Sequence, residues 1–194
     1  MYRNNLSGAE FWTSPHKAIT LLGMSGAGKT TLASRLPQRT WFHYSGDYRI
    51  GTRYLGEAIL DNAKREAMKS PLLAELLRSD SIYLCNNITV SNLKPLSGFL
   101  GMVGDPALGG LGIDEFKRRQ ALHRDAEVCS MLDVREFIDK SLEIYGYPHF
   151  INDAGGSLCE LDEPGVLEQL AEDTLIVYLK PSDEMLEKII ERSM

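Results

Sequence analysis

Eight residues near the start of the chain, Gly23-Met24-Ser25-Gly26-Ala27-Gly28-Lys29-Thr30, match the spacing G-x-x-x-x-G-K-[ST] at every fixed position. Each residue type in that pattern has a physical task. Glycines let a backbone curl until its N–H groups converge on a phosphate, and a helix opening at the end of the loop adds partial positive charge there. The lysine brings a compact cation to the β and γ phosphates, and the Thr30 hydroxyl brings an oxygen to Mg²⁺. The spacing therefore predicts a nucleotide-phosphate site over residues 23–31, drawing on Gly23, Ser25, Gly26, Ala27, Gly28, Lys29, Thr30 and Thr31. The bland alternative is a Gly-rich turn between a strand and a helix, which gives the lysine and threonine no task.

Two aspartates stand where apolar or aromatic runs end. Asp47 follows Trp41-Phe42-His43-Tyr44 and the turn Ser45-Gly46. A carboxylate there could hold Mg²⁺ through water or take a proton from an acceptor hydroxyl, and it reads equally as a turn or N-cap aspartate. Arg49 and Arg53 come next and could pair with an anionic acceptor, or simply be solvated on a helix start. Asp153 closes His149-Phe150-Ile151-Asn152 ahead of Ala154-Gly155-Gly156, the position of a Walker-B acid assisting Mg²⁺ or of an ordinary turn aspartate. His43 and His149 lie within strand-like runs and read as core or edge histidines. Arg118, Arg119 and Arg124 could meet a transferring phosphate, but a charged helix face explains them more simply.

These residues need elements to hold them. Short apolar or aromatic runs at 18–22, 41–44, 149–153 and 174–179 predict strands, and a helix is expected from Lys29 to Leu36, stopped by Pro37. Leu55, Ile59, Ala63 and Ala67 recur at i+4 and predict a helix over 53–69, followed by one opening at Ser70-Pro71. Residues 81–90 could hold one or two short strands. Residues 91–112 carry six glycines and two prolines among apolar residues and predict a long loop. A helix starts at Asp114, another is capped by the Asp133 and Glu136 spacing, and a last one by Ser182. Residues 1–16 read as a polar arm whose Phe11-Trp12 docks on the body. Strands alternating with helices argue for an α/β fold around a parallel sheet.

With those residues in place, the chain resembles the P-loop kinases that phosphorylate small molecules and nucleotides, such as the gluconate, shikimate and adenylylsulfate kinases. The likeness rests on GMSGAGKT at 23–30, YSGD at 44–47 and TLIVYLKPSDEMLEKIIER at 174–192. It implies a three-layer P-loop NTPase domain over 17–194 with ATP and Mg²⁺ as cofactors. It also implies Lys29 and Asp47 as catalytic residues, Asp47 facing the acceptor, with Thr30 and Asp153 on the metal. The chain departs from the family in a large insertion at 48–148, between the second strand and the Walker-B-like strand, which would carry the acceptor region. The family also continues past the 174–192 segment with an arginine-bearing lid and a further strand. Either those lie beyond Met194, leaving this chain a slow catalyst, or the 98–112 glycines and the 117–124 arginines replace the lid.

Composition sets the outer limits. The chain has 194 residues, 43% hydrophobic and 25% charged, so it can bury a full core without staples. A net charge of −6 works against whole-protein binding to nucleic acid or anionic lipid, yet leaves room for one basic phosphate pocket. Cys85, Cys129 and Cys159 are scattered and unpaired in spacing, which with the lack of an apolar leader or span predicts a cytoplasmic protein. The expected partner is a small-molecule acceptor phosphorylated from ATP. The competing readings are an ATPase or nucleotide-gated module acting on a macromolecule, and a nucleotide-binding module without turnover. No N-K-x-D and no S-G-G-Q occurs, which disfavours a GTPase and a transporter ATPase.

Overall fold

The computed structural model describes residues 7–156, 158, 163–182 and 186. In chain order the elements are α1 Gly8–Thr13, β1 Lys17–Leu22, α2 Lys29–Arg35, β2 Trp41–Ser45, α3 Gly46–Arg49, a π-helical turn Ile50–Tyr54, α4 Gly56–Ala67, α5 Pro71–Arg78, α6 Lys94–Leu100, a 3-10 turn Pro106–Leu108, α7 Ile113–Leu132, α8 Val134–Glu143, β3 His149–Asp153, α9 Pro164–Asp173 and β4 Leu175–Tyr178. The chain divides into two compact units. One takes the two ends of the chain, up to Gly46 and from Glu127, and the other is Asp47–Ala126.

The first unit is an α/β layered structure around a four-stranded, all-parallel sheet in the order β2-β3-β1-β4. Parallel neighbours need long crossovers, and every connection between these strands contains at least one helix. Alternation along each strand sends side chains to opposite faces. Ala18, Leu22, Tyr44 and Phe150 pack on one face against Val134 of α8 and Val166 and Leu170 of α9. Leu21 and Ile151 pack on the other against Ala33 of α2, with Ile19, Trp41 and Val177 partly buried around them. Helices therefore cover both faces.

Three polar side chains sit inside the apolar face with no exposure at all: Thr20, Asn152 and Thr174. Asn152 Nδ2 donates to Thr20 Oγ1 at 3.2 Å, Thr20 and Thr174 hydroxyls meet at 2.7 Å, and Thr174 Oγ1 donates to the Leu170 carbonyl at 2.7 Å. With Thr20 donating to Thr174, one hydroxyl proton serves each link. The relay ties β3, β1 and the end of α9 together.

The second unit has its own core of Ile50, Leu55, Ile59, Ile88, Leu96, Phe99 and Ala126. Several expectations fail here. No strand forms over 81–90, where there is only an isolated bridge between Thr89 and Asn92. Asn86 Nδ2 instead donates to the Gly56 carbonyl, and the Asn87 carbonyl accepts from Asn92 Nδ2 of the next stretch, both at 2.8 Å. The 91–112 stretch is not one long loop, since α6 begins with a proline in its first turn and buries Leu96 and Phe99. The helix expected over 53–69 starts later, at Gly56, after the π-helical turn, and Ala63 of its supposed stripe is exposed. Neither Ser70 nor Asp133 makes a side-chain capping bond.

At the N-terminus, α1 opens with a capping box in which Ser7 N donates to Glu10 Oε2 and Glu10 N to Ser7 Oγ. Trp12 is 80% exposed, so it does not dock as expected, while Phe11 lies under the Lys17 ammonium at 5.9 Å. The helix predicted after Ser182 falls mostly outside the described residues, as does Cys159. Among the described residues no helix is long and apolar enough to cross a membrane.

Arg119 corrects another expectation. It is 7% exposed and is spent on structure: Nε donates to Glu115 Oε1 at 2.7 Å, Nη2 to Asn62 Oδ1 at 2.8 Å and Nη1 to the Phe99 carbonyl, with the guanidinium 4.7 Å above the Phe99 ring. Arg118 is paired with the same Glu115 but is half exposed. The two guanidiniums hold the Glu115 carboxyl down at about 2. Arg119→Ala removes donors from two inner acceptors and is expected to cost roughly 3 kcal/mol, whereas Arg118→Ala is expected to cost less than about 1 kcal/mol. Urea unfolding of the two variants beside wild type measures both.

Candidate functional site

The loop between β1 and α2 leaves the C-terminal edge of the sheet. Gly28 is the N-cap of α2 with φ +91°, a left-handed conformation that a side chain would strain. From Ser25 to Thr31 only one backbone amide has a backbone acceptor outside the helix, Ala27 N on Met24 O at 3.2 Å. The amides of Ser25, Gly26, Gly28, Lys29, Thr30 and Thr31 have none among the described residues. Six unspent donors in seven consecutive residues make a cradle for an anion.

Lys29 is folded into that cradle. It is 7% exposed, and its Nζ donates to the Gly23 carbonyl at 2.6 Å and the Met24 carbonyl at 3.1 Å. The ammonium thus lies against the loop's own first residues, held by two neutral acceptors and, among the described residues, by no carboxylate. Thr30 and Thr31 are exposed in the first turn of α2.

Asp153 ends β3, level with Leu21 of β1 and Ser45 of β2 in the sheet register. It is 5% exposed, and its ion-pair neighbour among the described residues is His43 Nε2, 3.6 Å from Oδ2. A largely buried carboxylate in that setting is well placed to take a cation or a hydrogen-bond donor. Gly156 brings its turn to the loop, and Gly46 packs beside that turn. A Cβ on Gly156 would lie 2.8 Å from Ser25 N, so the turn after Asp153 rests directly on the phosphate-type loop. A Cβ on Gly46 would lie 2.8 Å from Met131 Cε and 3.4 Å from the Asp153 carbonyl.

The fold thus brings residues 23–31 and Asp153 together in the first unit. Asp47, Arg49 and Arg53 belong to the second unit. Asp47 lies in the first turn of α3, and within its unit its charge acts on His123. Burial lowers the His123 pKa from its ordinary value, while the Asp47 carboxylate opposes that shift. Arg49 lies 5.7 Å from the Tyr54 ring centre, and Arg53 is exposed on the π-helical turn. His149 is a structural histidine as expected: its ring packs 4.9 Å from Trp41 and its Nδ1 accepts from Lys17 N.

Sequence reasoning missed two members of this site. Gly156 is needed for close approach, and the Gly155-Gly156 doublet behind a strand was the available signal. His43 was set aside as a core residue, and nothing in the pattern of β2 separates a satisfied histidine from an unsatisfied one. Comparison with known proteins finds no family model, no curated relative and no solved structure that matches this chain.

The Asp47 and His123 arrangement is directly measurable. Asp47→Asn removes the charge that holds the imidazole up, so the His123 pKa is expected to fall further below its ordinary value. NMR titration of the imidazole reads this, and an unchanged midpoint in the variant would separate the two groups.

Proposed function

We propose that this chain binds ATP with Mg²⁺ and transfers the γ-phosphoryl group to a small-molecule or nucleotide acceptor. The observation that carries the reading is the loop itself. G-x-x-x-x-G-K-T sits at the C-terminal edge of a parallel sheet with its amides unspent and a buried lysine held by loop carbonyls. The resemblance to the P-loop kinases in 23–30, 44–47 and 174–192 supports the same reading.

The residues fit both cofactors. Unspent amides from Ser25 to Thr31 would take phosphate oxygens, and Lys29 would exchange two neutral carbonyls for phosphate charge, a stronger partner. The Thr30 hydroxyl and the largely buried Asp153 carboxylate would hold the metal, in keeping with Mg²⁺ sites built from one or two protein oxygens plus phosphate and water. Bound MgATP supplies the phosphoryl group and neutralises charge as it leaves ADP.

Asp47 would orient the acceptor hydroxyl and take its proton, and Arg49 and Arg53 would meet an anionic acceptor. The proposed partner is a small molecule, and the negative net charge argues against nucleic acid.

Incubation with γ-labelled ATP and a panel of hydroxyl-bearing metabolites tests this. Label is expected in a new compound, and label only in free phosphate would favour the ATPase reading. Lys29→Ala is expected to weaken nucleotide binding tenfold or more. Asp47→Asn is expected to cut transfer by about two orders of magnitude while leaving nucleotide affinity near wild type. Wild-type ATP affinity and turnover in the lysine variant would sink the assignment.

A further inference from the structure

His43 stands out among the groups that the proposed chemistry leaves unused. It lies on β2 opposite Ile151, two residues before Ser45, which stands opposite Asp153. Alternation puts His43 and Asp153 on the same face of the sheet, as diagonal neighbours that long side chains can bridge. Its Nε2 is buried with no hydrogen-bond partner, and among the described residues the carboxylate oxygen that faces it is Asp153 Oδ2, at 3.6 Å. A buried, unpartnered ring nitrogen thus faces a largely buried carboxylate, just beyond bonding distance. A histidine kept only for packing would not need that nitrogen aimed at the carboxylate that ends β3.

We propose that His43 is a positioning residue for Asp153: with the proton on Nε2, the imidazole donates to Oδ2 and fixes the carboxylate so that Oδ1 is presented to Mg²⁺. Ligating carboxylates are ordinarily held by such outer donors, which set their orientation. The two groups need to close by only a few tenths of an ångström to reach normal N–H···O length, a tightening expected when a site fills. The inference rests on the reading of Asp153 as the metal-side carboxylate in an ATP site. It adds that the orientation of this carboxylate is set from β2, by a residue that touches neither nucleotide nor metal.

The test measures ATP binding to the full chain by calorimetry across a Mg²⁺ titration and again in EDTA, for wild type, His43→Ala and His43→Gln. His43→Ala is expected to need roughly tenfold or more Mg²⁺ for half-maximal ATP binding. Its ATP affinity in EDTA should match wild type. His43→Gln keeps an N–H donor at a similar reach and is expected to restore most of the Mg²⁺ response. A histidine with only a packing role would move the melting temperature and both affinities together, and glutamine would not rescue the Mg²⁺ midpoint. Wild-type Mg²⁺ midpoints in both variants overturn the proposal. Binding of ATP by wild type without any Mg²⁺ dependence overturns it too, while leaving the nucleotide site standing. Absence of ATP binding by wild type removes the nucleotide reading, and this inference falls with it.

Discussion

The register of β1 against β3 is the constraint on which the site depends, and a buried hydrogen-bond relay holds it. Asn152, Thr20 and Thr174 are wholly buried, and their bonds run from β3 through β1 to the last carbonyls of α9. A slip of one residue would turn every side chain of a strand to the opposite face and strand these polar groups in apolar surroundings, at about 1–3 kcal/mol for each unsatisfied group. Apolar burial alone would tolerate more than one alignment of such short strands. The relay completes in one, the alignment that sets Leu21, the residue just before the end of β1, level with Asp153.

From that alignment the chemistry on the other face follows. The relay face is thick, with α8 and α9 packed over it, while the face carrying Asp153 and His43 has a smaller buried cluster under α2. The ionisable pair lies on the thinner side, where a sheet edge can stay accessible to a ligand without unfolding a core. The glycine at 156 lets the turn after β3 settle on the loop after β1, because a side chain there would collide with the Ser25 backbone. What results is a ring of unspent amides, a lysine bound to neutral carbonyls and, beside the Asp153 carboxylate, a histidine nitrogen without a hydrogen bond. Each is an incompletely satisfied group, and such groups are tolerated together where function requires them.

How much of this was legible in the sequence depended on whether a residue's type revealed its environment. The strands of the first unit were readable because each is a short apolar or aromatic run, and all four appear within a residue of their expected bounds. The turn between β1 and α2 was readable because glycines crowd between an apolar run and a helical pattern. The second unit was poorly readable. Glycine and proline around α6 spoke for a loop, yet Leu96 and Phe99 at i and i+3 had a core to reach. Asn86 and Asn92 were ambiguous until their backbone partners were known, and Arg119 carried the look of a surface charge although it is buried across three helices. Gly156 and His43 escaped for a related reason: close approach and an unmade hydrogen bond are properties of pairs of residues far apart in the chain.

The point of insertion connects the two units without asking anything of the sheet. The second unit leaves the first after Gly46 and the chain returns at Glu127. Within the first unit those two passages lie side by side, since a side chain on Gly46 would strike Met131 in the returning segment of α7. Ends this close make a large insertion inexpensive, because the loop-closure entropy of the host fold hardly depends on how many residues the insertion contains. The segment between can therefore change length and sequence without disturbing the strand register that the buried relay enforces. The glycine-rich loop after β1 and the inserted segment joined at the end of β2 divide the constraints accordingly. Those on the sheet edge are geometric and severe, as the crowded glycines show, while those on the inserted unit are its own small core and the Arg119 cluster that holds its helices together.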